Sequence, residues 1–366
     1  MSEEIQRVVK RLGVNAHRFS GKTVLLAGGA GFLGKHFLKV FQRLNDEVLR
    51  KPCQVISVDN YITGTKNMDE SIIGDPNIMQ VWADVTHPLP VREDIDFIIH
   101  GAGIASPVYY MRYPLETIES AVHGTRNLLD LASRNKNLEG FLFFSSSEIY
   151  GDPDPRAVPI KEDYHGNVST VGPRACYDES KRLGETLCSI FNEHHGVPTK
   201  IVRPFNVFGP GMGHNDRRVI PMFTYQALNG RTIPVHGTGQ QTRTFCYISD
   251  AIYGFLMTLL EGQPGEAYNI GNPDNEISMN ALAAMYPKLV PGASFQTIEY
   301  PDTYPAGEPN RRCPDITKAK DTFGYTSEVD VEDGLARFID WARHERSYID
   351  IEPETVAPDA AAKLAG

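Results

Sequence analysis

The chain has 366 residues, 41% of them hydrophobic and 22% charged, and a formal net charge of −10. This composition describes a globular protein of two domains, or one large domain with a lobe, and its negative charge argues against a nucleic-acid partner, which wants a basic surface. No apolar run reaches the ~18 residues of a membrane helix, so no membrane span is expected, and the five scattered cysteines (53, 176, 188, 246, 313) show neither a C-x-x-C pair nor zinc spacing, which fits a reducing, cytoplasmic setting and no metal site.

Residues 1–20 lack the apolar core of a secretory signal and read as a short helix, docked on the main body or trailing from it. Strand-like runs follow at TVLLAG (23–28), QVISVD (54–59), IMQVWA (78–83), DFIIHGA (96–102), GFLFFSSS (140–147) and TKIVRPFN (199–206). The stretches FLGKHFLKVFQRL and TIESAVHGTRNLLDLAS between them have helical period. Continuous apolar strands alternating with amphipathic helices predict an α/β fold, a Rossmann-like doubly wound parallel sheet whose ligands bind beyond the C-terminal strand ends. The sheet domain is expected over 21–205 with later segments returning to it. A smaller α/β substrate lobe is expected over 206–345 and a flexible tail over 346–366.

GGAGFLG places Gly28, Gly31 and Gly34 between the first strand and the first helix, the context for a pyrophosphate-binding turn. Asp59 ends the second strand, 25 residues after Gly34, where a carboxylate can bind a ribose and would repel a 2′-phosphate. NAD is therefore expected rather than NADP. Asp84, ending the third strand, reads equally as an adenine contact or a strand-end turn.

In GPRACYDESKR (172–182), Tyr177 and Lys181 lie one helical turn apart and share a face. A cation fixed beside a phenol favours the phenolate, so the pair is expected to make a general base near neutral pH. A surface i,i+4 contact has the same spacing. The strand end SSSEIYG (145–151) brings Ser146 and Glu148 to the same edge of the sheet.

The glycine turn, Y-x-x-x-K and S-x-E-x-Y-G, in this order, resemble the extended short-chain dehydrogenase/reductase family over about residues 20 to 340. That resemblance implies NAD as cofactor, with Phe32, Leu33, Asn60, Val85 and Ala102 joining Gly28, Gly31, Gly34, Asp59 and Asp84 around it. It implies that Tyr177 takes a sugar hydroxyl proton, that Lys181 lowers its pKa and holds the nicotinamide ribose, and that Ser146 orients the hydroxyl. A nucleotide-sugar substrate would be held by Ser106, Asn206, Arg218, Val219, Arg243 and Arg312; Arg218 and Arg243 are also open to reading as ordinary surface ion-pair members.

ASPVYYMRYPLET, SSSEIYGDP, GPRACYDESKR, GQQTRTFCYISD and RRCPDITKAK most resemble the branch of the family that decarboxylates UDP-glucuronate to UDP-xylose through a 4-keto sugar, with NAD recycled. On that resemblance Ser147, Glu148 and Arg312 are catalytic, with Glu148 acting as an acid directly or through water. A 4-epimerase would have no use for Glu148, and a 4,6-dehydratase would carry an acid where Ser147 stands. A non-catalytic NAD-binding sensor remains a further alternative. Departures from the family pattern are Ala121 in AVHGT, HGAG at 100–103 and a long TIEYPDTYPAGEPN before Arg312. A homodimer is expected through a four-helix interface of TIESAVHGTRNLLDLAS and SKRLGETLCSIFNEHH.

Overall fold

Seven apolar runs form one parallel sheet: β1 (Thr23–Ala27), β2 (Gln54–Asp59), β3 (Ile78–Trp82), β4 (Phe97–His100), β5 (Gly140–Phe144), β6 (Thr199–Pro204) and β7 (Ala267–Ile270). In the computed structural model of the chain, residues 2–64, 70–91, 94–216, 218–300 and 310–349 are described. The strand order is β7-β6-β5-β4-β1-β2-β3, so the chain reverses direction across the sheet between β1 and β4. That reversal opens a crevice at the C-terminal ends of β1 and β4. β1, β4 and β5 are apolar on both faces because helices cover both. A segment from the second half of the chain joins the sheet: β7 pairs with β6.

The helices that matter for the site are α1 (Ser2–Leu12), α2 (Phe32–Glu47), α3 (Pro114–Glu119), α4 (Thr125–Arg134), α5 (Ala175–His195) and α6 (Ile248–Glu261). α1 is docked. Ile5, Val8, Val9 and Leu12 are buried, Glu4 accepts a hydrogen bond from the Tyr247 hydroxyl at 2.9 Å, and Arg11 pairs with Asp250 at 2.6 Å. The helical stretch TIESAVHGTRNLLDLAS is interrupted: between α3 and α4 lies a π turn, Ser120–Gly124, holding Ala121 and Gly124. Gly124 presses on Val85, whose Cγ2 would stand 2.7 Å from any added Cβ.

The lobe contains a small sheet in which Thr242–Thr244 lies between Glu276–Ser278, antiparallel, and Arg311–Arg312, parallel. Its register sets Arg312 beside Arg243. The tail was placed too early at 346. Arg346–Ile349 is helical, Tyr348 is fully buried and its hydroxyl donates to the Met212 carbonyl at 2.7 Å. Residues 301–309, within the long stretch before Arg312, and 350–366 lie outside the described residues.

Candidate active site

The glycine turn is built by close packing. Gly28 has φ +91°, and a Cβ there would lie 2.7 Å from the Ala102 nitrogen. A Cβ on Gly34 would meet the Gly28 carbonyl oxygen at 2.1 Å, so Gly34 serves the approach of helix to strand. Gly31 caps α2, and Phe32 and Leu33 begin it, where first-turn N–H groups have no partner within the helix. Gly28, Gly31, Asp59, Asn60, Asp84, Val85 and Ala102 line one cleft, and Phe32, Leu33 and Gly34 are not among its lining residues. Asp59 is oriented by the Ala30 and Tyr61 N–H groups at 2.9 and 2.7 Å. Asp84 makes the strand-end turn, accepting from Thr86 N–H, and also receives the Asn60 amide at 2.8 Å. A glycine cradle closed to any side chain, beside a carboxylate at a strand end, fits a dinucleotide.

At the end of β5, Ser146 accepts a hydrogen bond from Glu148 N–H at 3.2 Å, and its hydroxyl favours the ionised form of the Tyr177 phenol. Ser147 is buried at the start of the same short turn. Tyr177 and Lys181 point inward from α5 and are 6% and 5% exposed. The Tyr177 ring stacks on Tyr110, with centroids 5.3 Å apart. The pair expected to act as a general base shares this inward face. The Lys181 Nζ donates to the Phe144 carbonyl at 2.7 Å and stands 5.8 Å from the centre of the Tyr177 ring. Burial pushes the phenol up to about 12 and the Lys181 ammonium down to about 8. The chain's own charges therefore leave Tyr177 protonated at neutral pH.

Glu148 receives Arg312 Nη2 at 2.6 Å on one oxygen and the Arg174 guanidinium on the other. Burial alone would raise this carboxyl, but the two arginines outweigh it and hold it at about 2. Glu148 is thus an ionised carboxylate at neutral pH. Arg312 is 3% exposed, and its Nε and Nη1 are buried with no hydrogen-bond partner among the described residues.

The other substrate-side residues line up more loosely. Arg243 is buried next to Arg312, donates to the Thr242 carbonyl at 2.8 Å, and its charge reaches Glu148. Arg218 forks onto Asp216, whose carbonyl receives the Ser106 hydroxyl at 2.9 Å. Val219 follows Arg218 as the first residue of the helix Val219–Leu228. Asn206 has φ +39° and donates its amide to the Thr244 carbonyl at 2.9 Å.

Sequence reasoning missed Arg174 and Asp178. The signal was present: they lie three residues before and one after Tyr177, an i,i+4 pair on α5. Tyr110, inside the quoted ASPVYYMRYPLET, was also unassigned.

Residues 24–271 match the model of the NAD dependent epimerase/dehydratase family. The chain is 41% identical over 319 residues to UDP-glucuronic acid decarboxylase 5 of Arabidopsis thaliana, covering 86% of this chain and 88% of the relative. It is 40% identical over 330 residues to UDP-glucuronic acid decarboxylase 1 of Xenopus tropicalis, covering 89% and 73%. Among solved structures it resembles DesIV, a dTDP-glucose 4,6-dehydratase from Streptomyces venezuelae crystallised with NAD and TYD, with a TM-score of 0.76 at 25% identity, covering 90% of this chain and 99% of that one. The chain belongs to the NAD-dependent epimerase/dehydratase family.

Proposed function

We propose that the protein decarboxylates a nucleotide-linked hexuronic acid, UDP-glucuronate, to UDP-xylose through a 4-keto sugar. The observation that carries this reading is Arg312. One of its nitrogens is fixed on Glu148, and two more are buried without hydrogen-bond partners among the described residues. A neutral hexose gives such a guanidinium little to bind, whereas a sugar carboxylate satisfies it. The names of the relatives, at about 40% identity over most of the chain, agree. Ser147 is no proton donor for expelling a hydroxyl, which weighs against a 4,6-dehydratase.

Gly28, Gly31, Asp59, Asn60, Asp84, Val85 and Ala102 would hold NAD along the cleft, with Lys181 at its inner end. When bound, NAD supplies the hydride acceptor and donor for carbon 4 and a positive charge beside the phenol. That charge would favour the phenolate, and as the phenolate Tyr177 takes the carbon-4 hydroxyl proton, with Ser146 favouring the same ionised form. Arg312 holds the sugar carboxylate and then faces the enolate left when carbon dioxide departs. Glu148, ionised, orients a water that protonates carbon 5. Asn206, Arg218, Val219, Arg243 and Ser106 bind the nucleotide diphosphate side.

A homodimer is supported by the apolar outer faces of α3 and α5, where Leu115, Ile118, Leu183 and Ile190 are exposed. No helix among the described residues is long and apolar enough to cross a membrane, and five free thiols support a cytoplasmic setting. Purified protein given UDP-glucuronate should yield a product lighter by the mass of carbon dioxide. UDP-glucose should be left untouched. Loss of water, or an unchanged mass with an inverted carbon 4, would refute the reading.

A further inference from the structure

A second carboxyl stands beside the Glu148–Arg312 pair, and the chemistry above does not use it. Asp178 lies in the first turn of α5 and is 6% exposed. Its Oδ2 is 3.8 Å from Nε of Arg174, the same guanidinium that grips Glu148. Its Oδ1 is buried with no hydrogen-bond partner among the described residues. Arg174 therefore stands between two carboxyl groups. At 3.8 Å the contact to Asp178 is charge attraction without a hydrogen bond, so it has room to tighten. Glu148 has a further cation in Arg312, and Asp178 has no comparably close one.

The surroundings of Asp178 can be named. Glu148 faces it from the Ser147–Tyr150 turn, Arg312 from the lobe strand, Tyr110 from the helix Pro107–Arg112, and Arg174, Cys176, Tyr177 and Glu179 from its own helix. The arginines keep their charge. Burial pushes the Tyr110, Tyr177 and Cys176 groups up, so without NAD they stay neutral. Glu148 stays ionised. Asp178 itself is pushed up to about 7, first by burial and then by the Glu148 charge.

We propose that Asp178 is a positioning residue whose proton decides how Arg174 is shared: protonated, it leaves Arg174 clamped on Glu148; ionised, it draws Arg174 away and loosens the clamp. The orientation of Glu148 and Arg312 toward a substrate carboxylate thereby depends on pH. An anion arriving at Arg312 adds negative charge to the cluster and favours the proton on Asp178, so binding takes up a proton near neutrality. This part rests on the decarboxylase reading; the titration of Asp178 does not.

The test has two arms. In the first, the carbon-13 resonance of the Asp178 carboxyl, assigned by its loss in Asp178→Asn, is followed against pH in the protein without substrate. It should titrate between about pH 6 and 8. In the second, kcat on UDP-glucuronate is measured against pH. The wild type should change about threefold or more over that range, Asp178→Asn should be flat there, and Asp178→Glu should restore the change. A purely structural role would lower kcat evenly and leave the profile's shape intact. A carboxyl that titrates below about pH 5 overturns the proposal, as does an unchanged profile in Asp178→Asn. If Asp178→Asn does not fold, the resonance is assigned from Asp178→Glu and the first arm decides. Titration in the expected range without turnover would sink the decarboxylase reading and leave the Asp178 proton standing.

Discussion

Arg312 reaches Glu148 with one nitrogen, at 2.6 Å, and leaves two others buried without a hydrogen-bond partner among the described residues. An unsatisfied buried donor costs about 1–3 kcal/mol, so a folded chain keeps such an arrangement where a ligand completes it. Glu148 is held from the other side by Arg174, which fixes the direction in which those two nitrogens point.

Replacing Arg312 with alanine should lower kcat/KM on UDP-glucuronate by about 100-fold or more, while NAD binding, followed by fluorescence quenching, stays unchanged. Lysine should not rescue, because an ammonium cannot reach Glu148 and a carboxylate with the fixed fork of a guanidinium. Normal turnover by Arg312→Lys would remove Arg312 from the site.

Glu148→Gln should cost about 3 kcal/mol at pH 7, because it takes from the buried Arg312 and the half-buried Arg174 the carboxylate they share. The sign with pH follows from the depressed carboxyl. Its contribution is fully present above the ordinary value of 4.5 and is lost as pH falls toward about 2. Urea unfolding of wild type and variant should therefore diverge above pH 4.5 and converge in acid. A gap that stays constant with pH would contradict the charge assignment.

Gly184 lies where α5 crosses β5, and a Cβ there would meet Phe143 Cζ at 2.3 Å. Gly184→Ala should destabilise the fold by about 1–3 kcal/mol. Because the same helix carries Tyr177 and Lys181, kcat should fall with Tm. A variant as stable and as active as wild type would show that the ring yields freely.

Leu183, 45% exposed on the outer face of α5, should be covered in the homodimer. Light scattering of the wild type should give roughly twice the chain mass of 40.7 kDa, and Leu183→Glu should give the single-chain mass. A wild type that runs as a monomer would rule out the interface.

What the sequence made legible is what local geometry sets. The glycine turn with Asp59 is such a feature, because the φ of Gly28 and the approach of Gly34 are properties of one strand, one turn and one helix. Spacing also placed Tyr177 and Lys181 on one inward face. It did not say where the ammonium goes, and Lys181 turned to the Phe144 carbonyl 37 residues away in sequence. Likewise Arg174 was in plain view, but its contact with Glu148 spans 26 residues and exists only once α5 docks on the end of β5. The register that sets Arg312 beside Arg243 is longer still in sequence and has no local signature. The π turn that splits TIESAVHGTRNLLDLAS lies where Gly124 packs on Val85, a contact that periodicity alone does not reveal.

The most direct test is turnover of UDP-glucuronate in heavy water with NAD. The product should be a UDP-pentose that has lost its carboxyl, carries one deuterium at carbon 5 and retains the original hydrogen at carbon 4. A hexuronate recovered intact or inverted, a product that has lost water in place of carbon dioxide, or deuterium at carbon 4 would contradict it.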